Sequence, residues 1–151
     1  MNEKDSNLLT EFSNAMVQAV TTAGASTVLV NARHRFPASG VGYAPDLVIT
    51  ANHVVERDED ISVILPDGNE MKAILAGRDP SSDLAVLKLE KAVIVSASKA
   101  PQDARIGELV LALGRPTTEG IQASLGVVSA IGGPLRTRRG AMLDRYLRTD
   151  A

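Results

Sequence analysis

The chain has 151 residues, 44% of them apolar, a formal charge of −2 and no cysteine. Its length suits one domain, although all-β folds often need ~200–250 residues as a unit. The absence of cysteine excludes disulfides, thiolate metal sites and a thiol nucleophile, and the near-neutral charge gives no electrostatic case for nucleic acid or a membrane surface. With only 3% aromatics, burial must rest on Val, Ile, Leu and Ala. No apolar run approaches the ~18 residues of a bilayer span. The N-terminus lacks the basic-then-apolar pattern of a signal peptide, so no targeting segment is expected within these residues.

In chain order, Asp5 or Ser6 is suited to cap a helix whose apolar face takes in Leu8, Leu9, Phe12, Met16 and Val20. Gly24 sits where a C-terminal stop is expected. The plain expectation is a helix packed over a core. From Ser26 the period changes, and Thr27-Val28-Leu29-Val30 reads as a strand. Asn31 to Ser39 reads as an exposed loop, with His34 solvated and without a metal role. Ser39-Gly40-Val41-Gly42-Tyr43 alternates glycine with packed residues, a sign of tight strand crossing.

Asp46 to Val55 is a run of β-favouring residues that delivers His53 to a strand end. Imidazole, with an unperturbed pKa of about 6.5, suits proton transfer near neutrality. Ile61–Leu65 and Met71–Ala76 flank Pro66-Asp67-Gly68-Asn69, a hairpin signal. Asp79-Pro80-Ser81-Ser82 forms a polar turn, with Asp79 read as a turn residue, and Asp83 stands at the mouth of the strand Leu84–Leu89. Short strands without intervening helices argue for a barrel or sandwich. Patterning weakens from Lys91 to Arg105, which places a boundary near residue 100. Beyond it, Glu108–Leu113 reads as a strand ending at Gly114-Arg115-Pro116, followed by a strand over Ala123–Ile131. A glycine- and arginine-rich loop over Gly132–Gly140 precedes a strand starting within Leu143–Arg148.

A histidine and an aspartate at two strand ends begin a constellation for nucleophilic catalysis. Taken with their surroundings, the order of motifs resembles the trypsin-like serine proteases of the HtrA/Deg family. Ser39-Gly40-Val41-Gly42-Tyr43 is similar to the family's Gly-Ser-Gly-Phe strand. Val48-Ile49-Thr50-Ala51-Asn52-His53-Val54-Val55 resembles the histidine motif, and Asp79 to Lys88 the aspartate motif. Gly107–Pro116, Gly126–Ala130 and Leu147–Ala151 resemble, in that order, the strand opening the second barrel, the next strand, and the lead into the nucleophile.

The resemblance implies an all-β, trypsin-like double β-barrel with an N-terminal helix, its first barrel complete and its second truncated. Residues 1–24 would be the helical segment, 25–100 the first barrel and 101–151 the incomplete second. It implies that His53 is the general base and that Asp83 orients and stabilises the imidazole, with no cofactor and no metal. The family continues past Asp150-Ala151 into Asn-Pro-Gly-Asn-Ser-Gly-Gly-Pro-Leu, which supplies the nucleophile and the oxyanion hole. Gly132-Gly133-Pro134-Leu135 imitates its tail but has Ile131 where the serine is needed, and Ser39, Ser124 and Ser129 sit in strand segments. Asn52 also departs from the family's usual alanine. The chain is therefore read as the N-terminal part of a serine endopeptidase of protein quality control, inactive on its own.

By the same resemblance its substrates would be unfolded proteins or peptides, with no nucleic acid partner. Its assembly would be a homotrimer, its place the bacterial envelope or periplasm, and the parent would carry a PDZ domain. The basic loop Arg136-Thr137-Arg138-Arg139 reads as a solvated turn, at the position of a loop with which relatives sense activating signals. The alternative is a non-catalytic, protease-like binding or scaffold module that recruits a partner strand on open sheet edges.

Overall fold

The computed structural model describes residues 3–137 and 140–151, so Arg138 and Arg139 of the basic loop lie outside the described residues. Helix α1 (Glu3–Gly24) leads into β1 (Thr27–Asn31), β2 (Ala38–Ala44) and β3 (Leu47–Ala51). A single 3₁₀ turn, Asn52–Val54, follows β3 and precedes β4 (Ile61–Ile64), β5 (Glu70–Asp79) and β6 (Leu84–Leu89). These six strands close into a barrel in the order β1-β2-β3-β6-β5-β4, the ring being completed by β4 pairing back onto β1.

The barrel closes because each strand presents alternate apolar residues to one interior. In β6 the inward positions are Ala85, Leu87 and Leu89, and their neighbours face outward. Val28, Val30, Val48, Val63 and Leu87 are fully buried in that interior. Burying a side chain such as Leu87 contributes about 1.5–3 kcal/mol. Branched aliphatics thus fill the space that the scarcity of aromatics leaves to them. The β4–β5 hairpin closes as its turn residues dictate: Leu65 N–H donates to the Asn69 carbonyl, and Gly68 takes φ +87°.

Glycine has a packing role in β2. A Cβ on Gly42 would collide with Ile94 and come within 2.6 Å of the Val95 carbonyl oxygen. The extended 93–97 stretch crosses there, with the Ala97 N–H donating to the Gly42 carbonyl at 2.8 Å. This is the tight crossing expected from the alternating glycines.

A second layer lies against β1 and β2. Strand β7 (Leu109–Thr117) pairs with β8 (Gly120–Gly132), and β8 pairs with β11 (Tyr146–Thr149) in a three-stranded sheet. Between β8 and β11, the short strands β9 (Leu135–Arg136) and β10 (Met142–Leu143) pair with each other. The loop expected over Gly132–Gly140 is therefore a small hairpin at its base. Strand β7 also runs past its expected end at Gly114, because Pro116 falls where the β7–β8 register shifts and no ladder N–H is demanded of it.

Two expectations for α1 need correction. The helix begins at Glu3, ahead of Asp5 and Ser6, so neither stands at its N-cap. Its N-terminal half is also not packed over the core: Leu8 is 67% exposed and Leu9 60%. Only the C-terminal half docks, with Met16, Ala19 and Ala23 facing β7 across a cleft of about 250 Å³. The apolar periodicity was sufficient to form the helix but does not say what covers its stripe. Gly24 does end it, buried against Ile121.

The turn between β5 and β6 is held by Asp79. Its carboxylate accepts from the Ser81 N–H at 2.9 Å and from the hydroxyls of Ser81 and Ser82, both at 2.6 Å. These bonds, the two hydroxyls foremost, hold the Asp79 pKa down at about 2. No helix among the described residues is long and apolar enough to cross a membrane.

Two outcomes follow from this packing. Gly42→Ala should cost about 1–3 kcal/mol through overpacking, read as a lowered urea midpoint. Gly77→Ala, in open space, should change stability by less than about 1 kcal/mol. Because the folded-state pKa of Asp79 is depressed, its contribution is present above the ordinary value of 3.8 and is lost as pH falls through about 2. A ¹³C carboxyl titration should give Asp79 a midpoint near 2, moving back toward 3.8 when Ser81 and Ser82 are both replaced by Ala.

Candidate active site

Strand pairing brings the site together. Strands β3 and β6 run antiparallel with Leu47 opposite Lys88, and the last pair in register is Ala51 opposite Leu84. The residues just beyond that pair, Asn52-His53 on one side and Asp83 on the other, are therefore neighbours. His53, expected at the strand end, lies instead on the 3₁₀ turn that follows β3, two residues past the last strand residue, Ala51.

Asp83 sits at φ +61°, a left-handed conformation that Asp tolerates better than most residues. That conformation aims its carboxylate back at the histidine. Oδ2 lies 2.7 Å from His53 Nδ1, and Oδ1 accepts from the His53 backbone N–H at 3.0 Å. The Asp83 carbonyl accepts from the Asn52 N–H at 2.9 Å. One residue thereby fixes both the ring and the backbone of the turn that carries it. An ionised carboxylate only accepts, so the contact favours the proton on Nδ1.

The pair is open to solvent, with 55% of the His53 side chain and 32% of the Asp83 side chain exposed. A pair this open contributes little to stability. Next to His53 in the chain, Asn52 Oδ1 is buried without a hydrogen-bond partner among the described residues. His34 lies on the β1–β2 loop, exposed, with its N–H donating to Glu56 Oε2 at 3.2 Å. Among the described residues no cluster of His, Cys, Asp and Glu could hold a metal.

Two features near the site carry no sequence signal. Thr137, from the loop between β9 and β10, donates its hydroxyl to the Ser81 carbonyl at 3.1 Å and so reaches the turn that presents Asp83. Ser39, read as a strand residue, accepts the Arg115 N–H on its hydroxyl at 2.8 Å and joins β2 to β7. Both bonds span long sequence separations, which periodicity and turn chemistry do not encode. Ser129 donates to the Arg148 carbonyl at 3.2 Å within the β8–β11 pair.

The chain is similar to known proteins over most of its length. Residues 38–151 fit the family model of the trypsin-like peptidase domain. The probable periplasmic serine protease do/HhoA-like of Haemophilus influenzae is 39% identical over 106 residues, covering 69% of this chain and 22% of the relative. The periplasmic serine endoprotease DegP of Escherichia coli is 35% identical over 128 residues, or 79% of this chain and 26% of DegP. The serine endoprotease DegS of Haemophilus influenzae is 37% identical, over 75% of this chain and 34% of DegS. The crystal structure of the serine endoprotease from Yersinia pestis superposes with a TM-score of 0.66 at 30% identity, covering 83% of this chain and 51% of that one. The chain thus spans between 22% and 34% of the length of these curated relatives. With the barrel, the motif order and these matches in agreement, the chain belongs to the trypsin-like peptidase domain family, as an N-terminal part of that domain of the HtrA/Deg kind.

Proposed function

We propose that this chain supplies the acid–base half of a serine endopeptidase, with His53 as general base and Asp83 as its orienting carboxylate. The observation that carries the reading is the 2.7 Å contact between His53 Nδ1 and Asp83 Oδ2, braced by the second Asp83 oxygen on the His53 N–H. In this mechanism Nε2 takes the proton of a serine hydroxyl as that oxygen attacks the scissile carbonyl carbon. The imidazolium, held by Asp83, then returns the proton to the departing amine. Water repeats the sequence to release the acyl group.

No Gly-Asn-Ser-Gly-Gly motif occurs within the 151 residues. On this reading the hydroxyl and the oxyanion-hole N–H groups come from sequence beyond Ala151. Loss of one oxyanion donor alone costs on the order of 3 kcal/mol of transition-state stabilisation, and without the nucleophile there is no covalent route. The same reading divides the chain into a helical segment (1–24), a first barrel (25–100) and the opening strands of a second (101–151). Protein substrates are proposed, in keeping with the endoprotease names of the relatives, and an envelope location, in keeping with the word periplasmic in several of those names. Self-association into a trimer is part of the proposal, supported by the uncovered apolar side of α1.

The reading frame beyond Ala151 should encode Gly-Asn-Ser-Gly-Gly soon after it. The full-length protein should react with a fluorophosphonate probe and hydrolyse unfolded casein. His53→Ala should lower turnover about 10⁶-fold and Asp83→Asn about 10⁴-fold, Asn being able to keep the left-handed conformation while turning a donor toward Nδ1. Residues 1–151 alone should not be labelled. Labelling of a serine within them, or a full-length protein that binds a defined partner but shows no turnover, would favour another nucleophile or a non-catalytic binding module.

A further inference from the structure

A cleft of about 440 Å³ opens between the β1–β2 loop, the segment after the 3₁₀ turn, and the turn joining β7 to β8. Its lining includes Arg33, Arg35, Arg57 and His34 together with Thr117 and Thr118, and no carboxylate. In a chain with a formal charge of −2 this is a local inversion of sign. None of the three arginines is paired with a carboxylate among the described residues.

The guanidinium groups are placed rather than loose. Arg33 donates through Nε to the Phe36 carbonyl and through Nη2 to the Pro37 carbonyl at 3.1 Å, which folds the loop around the cleft. Arg57 donates through Nη2 to the Asn31 carbonyl at 3.0 Å and to Asn31 Oδ1 at 3.1 Å. Its Nε–H is buried and has no acceptor among the described residues. Arg35 is exposed and makes no hydrogen bond or ion pair among the described residues. The two carboxylates beside Arg57 in sequence are engaged elsewhere, Glu56 with the His34 N–H and Asp58 with Arg78, and neither lines the cleft.

We propose that this cleft binds a small oxyanion carrying two negative charges, a phosphate group or a dicarboxylate. Arg33 and Arg57 supply charge from held guanidinium groups, Arg35 supplies the outer charge, and the Thr117 and Thr118 hydroxyls donate from the second sheet. Charge-assisted bonds of this kind are the strong ones, and a planar guanidinium fork suits such oxyanions. Because the lining draws on both the barrel and the β7–β8 turn, the ligand ties the two layers together and stabilises the fold by mass action. The proposal is independent of the protease reading.

The test titrates the protein with inorganic phosphate and, separately, with malonate, each against sodium chloride at matched ionic strength. The expected result is a saturable shift of the Arg57 Nε–H resonance in ¹H–¹⁵N spectra, with a parallel rise in Tm. Saturation by phosphate alone assigns a phosphate-bearing ligand, and saturation by malonate assigns a dicarboxylate. Arg35→Gln, which removes no bond of the folded protein, should weaken binding severalfold. Arg57→Gln should abolish saturation, and Arg57→Lys should fail to restore it because lysine lacks the fork. A response that follows ionic strength equally in chloride overturns the proposal. So does saturation that survives unchanged in Arg35→Gln, whether or not the Arg57 variants fold.

Discussion

The register of β3 against β6 is the constraint on which the rest of the molecule depends. With Ala51 opposite Leu84, the two chain segments that leave the strand pair carry His53 and Asp83 side by side. The same register turns Val48, Ala85 and Leu87 into the barrel interior. A slip of one residue would turn every one of those side chains outward and would separate the imidazole from its carboxylate in the same movement. Core burial and site geometry are therefore set by one alignment. The hydrophobic effect, far larger than an exposed ion pair, enforces it.

What the register brings close, the turns then orient. Asp83 can serve both the ring and the N–H of His53 only from its left-handed conformation, and the bonds from Ser81 and Ser82 to Asp79 hold the turn just ahead of it. From the other side Thr137 touches that turn at the Ser81 carbonyl. Arg115 works at greater distance in the same sense. Its N–H reaches Ser39, its Nε donates to the Thr27 carbonyl at 2.9 Å, and its Nη2 reaches the Gly24 carbonyl at 3.4 Å. One side chain so joins β7 to β1 and to the end of α1.

The local parts of this design were readable in sequence. Period-two burial gave β1, β3, β4 and β6 with ends close to those observed. Pro66-Asp67-Gly68-Asn69 announced its hairpin, and the Asp79 turn was evident from its residue types. The pairing of His53 with Asp83 was reachable only through motif order, since neither residue alone differs from a surface histidine or a turn aspartate. The remainder depended on contacts between distant segments. The path of β7 past Gly114 relies on Ser39 accepting the Arg115 N–H, and the β9–β10 pair on Leu135 meeting Leu143. The bare N-terminal half of α1 could not be foreseen, because amphipathic spacing specifies a face without specifying its neighbour.

The two layers differ in how far they satisfy themselves. The six-stranded barrel has no edge, and its inward side chains are wholly buried. The three-stranded sheet has open edges, and Leu109, Leu125 and Leu147 on it stay about half exposed. His53 and Asp83 both flank paired strands of the closed barrel, and among the described residues Thr137 reaches their turn from outside it. The geometry of the pair is therefore carried largely by a unit whose strands all pair with one another. The sheet is the layer that keeps apolar surface exposed. That asymmetry places the His53–Asp83 pair on the layer that closes on itself and leaves the incomplete burial to the sheet.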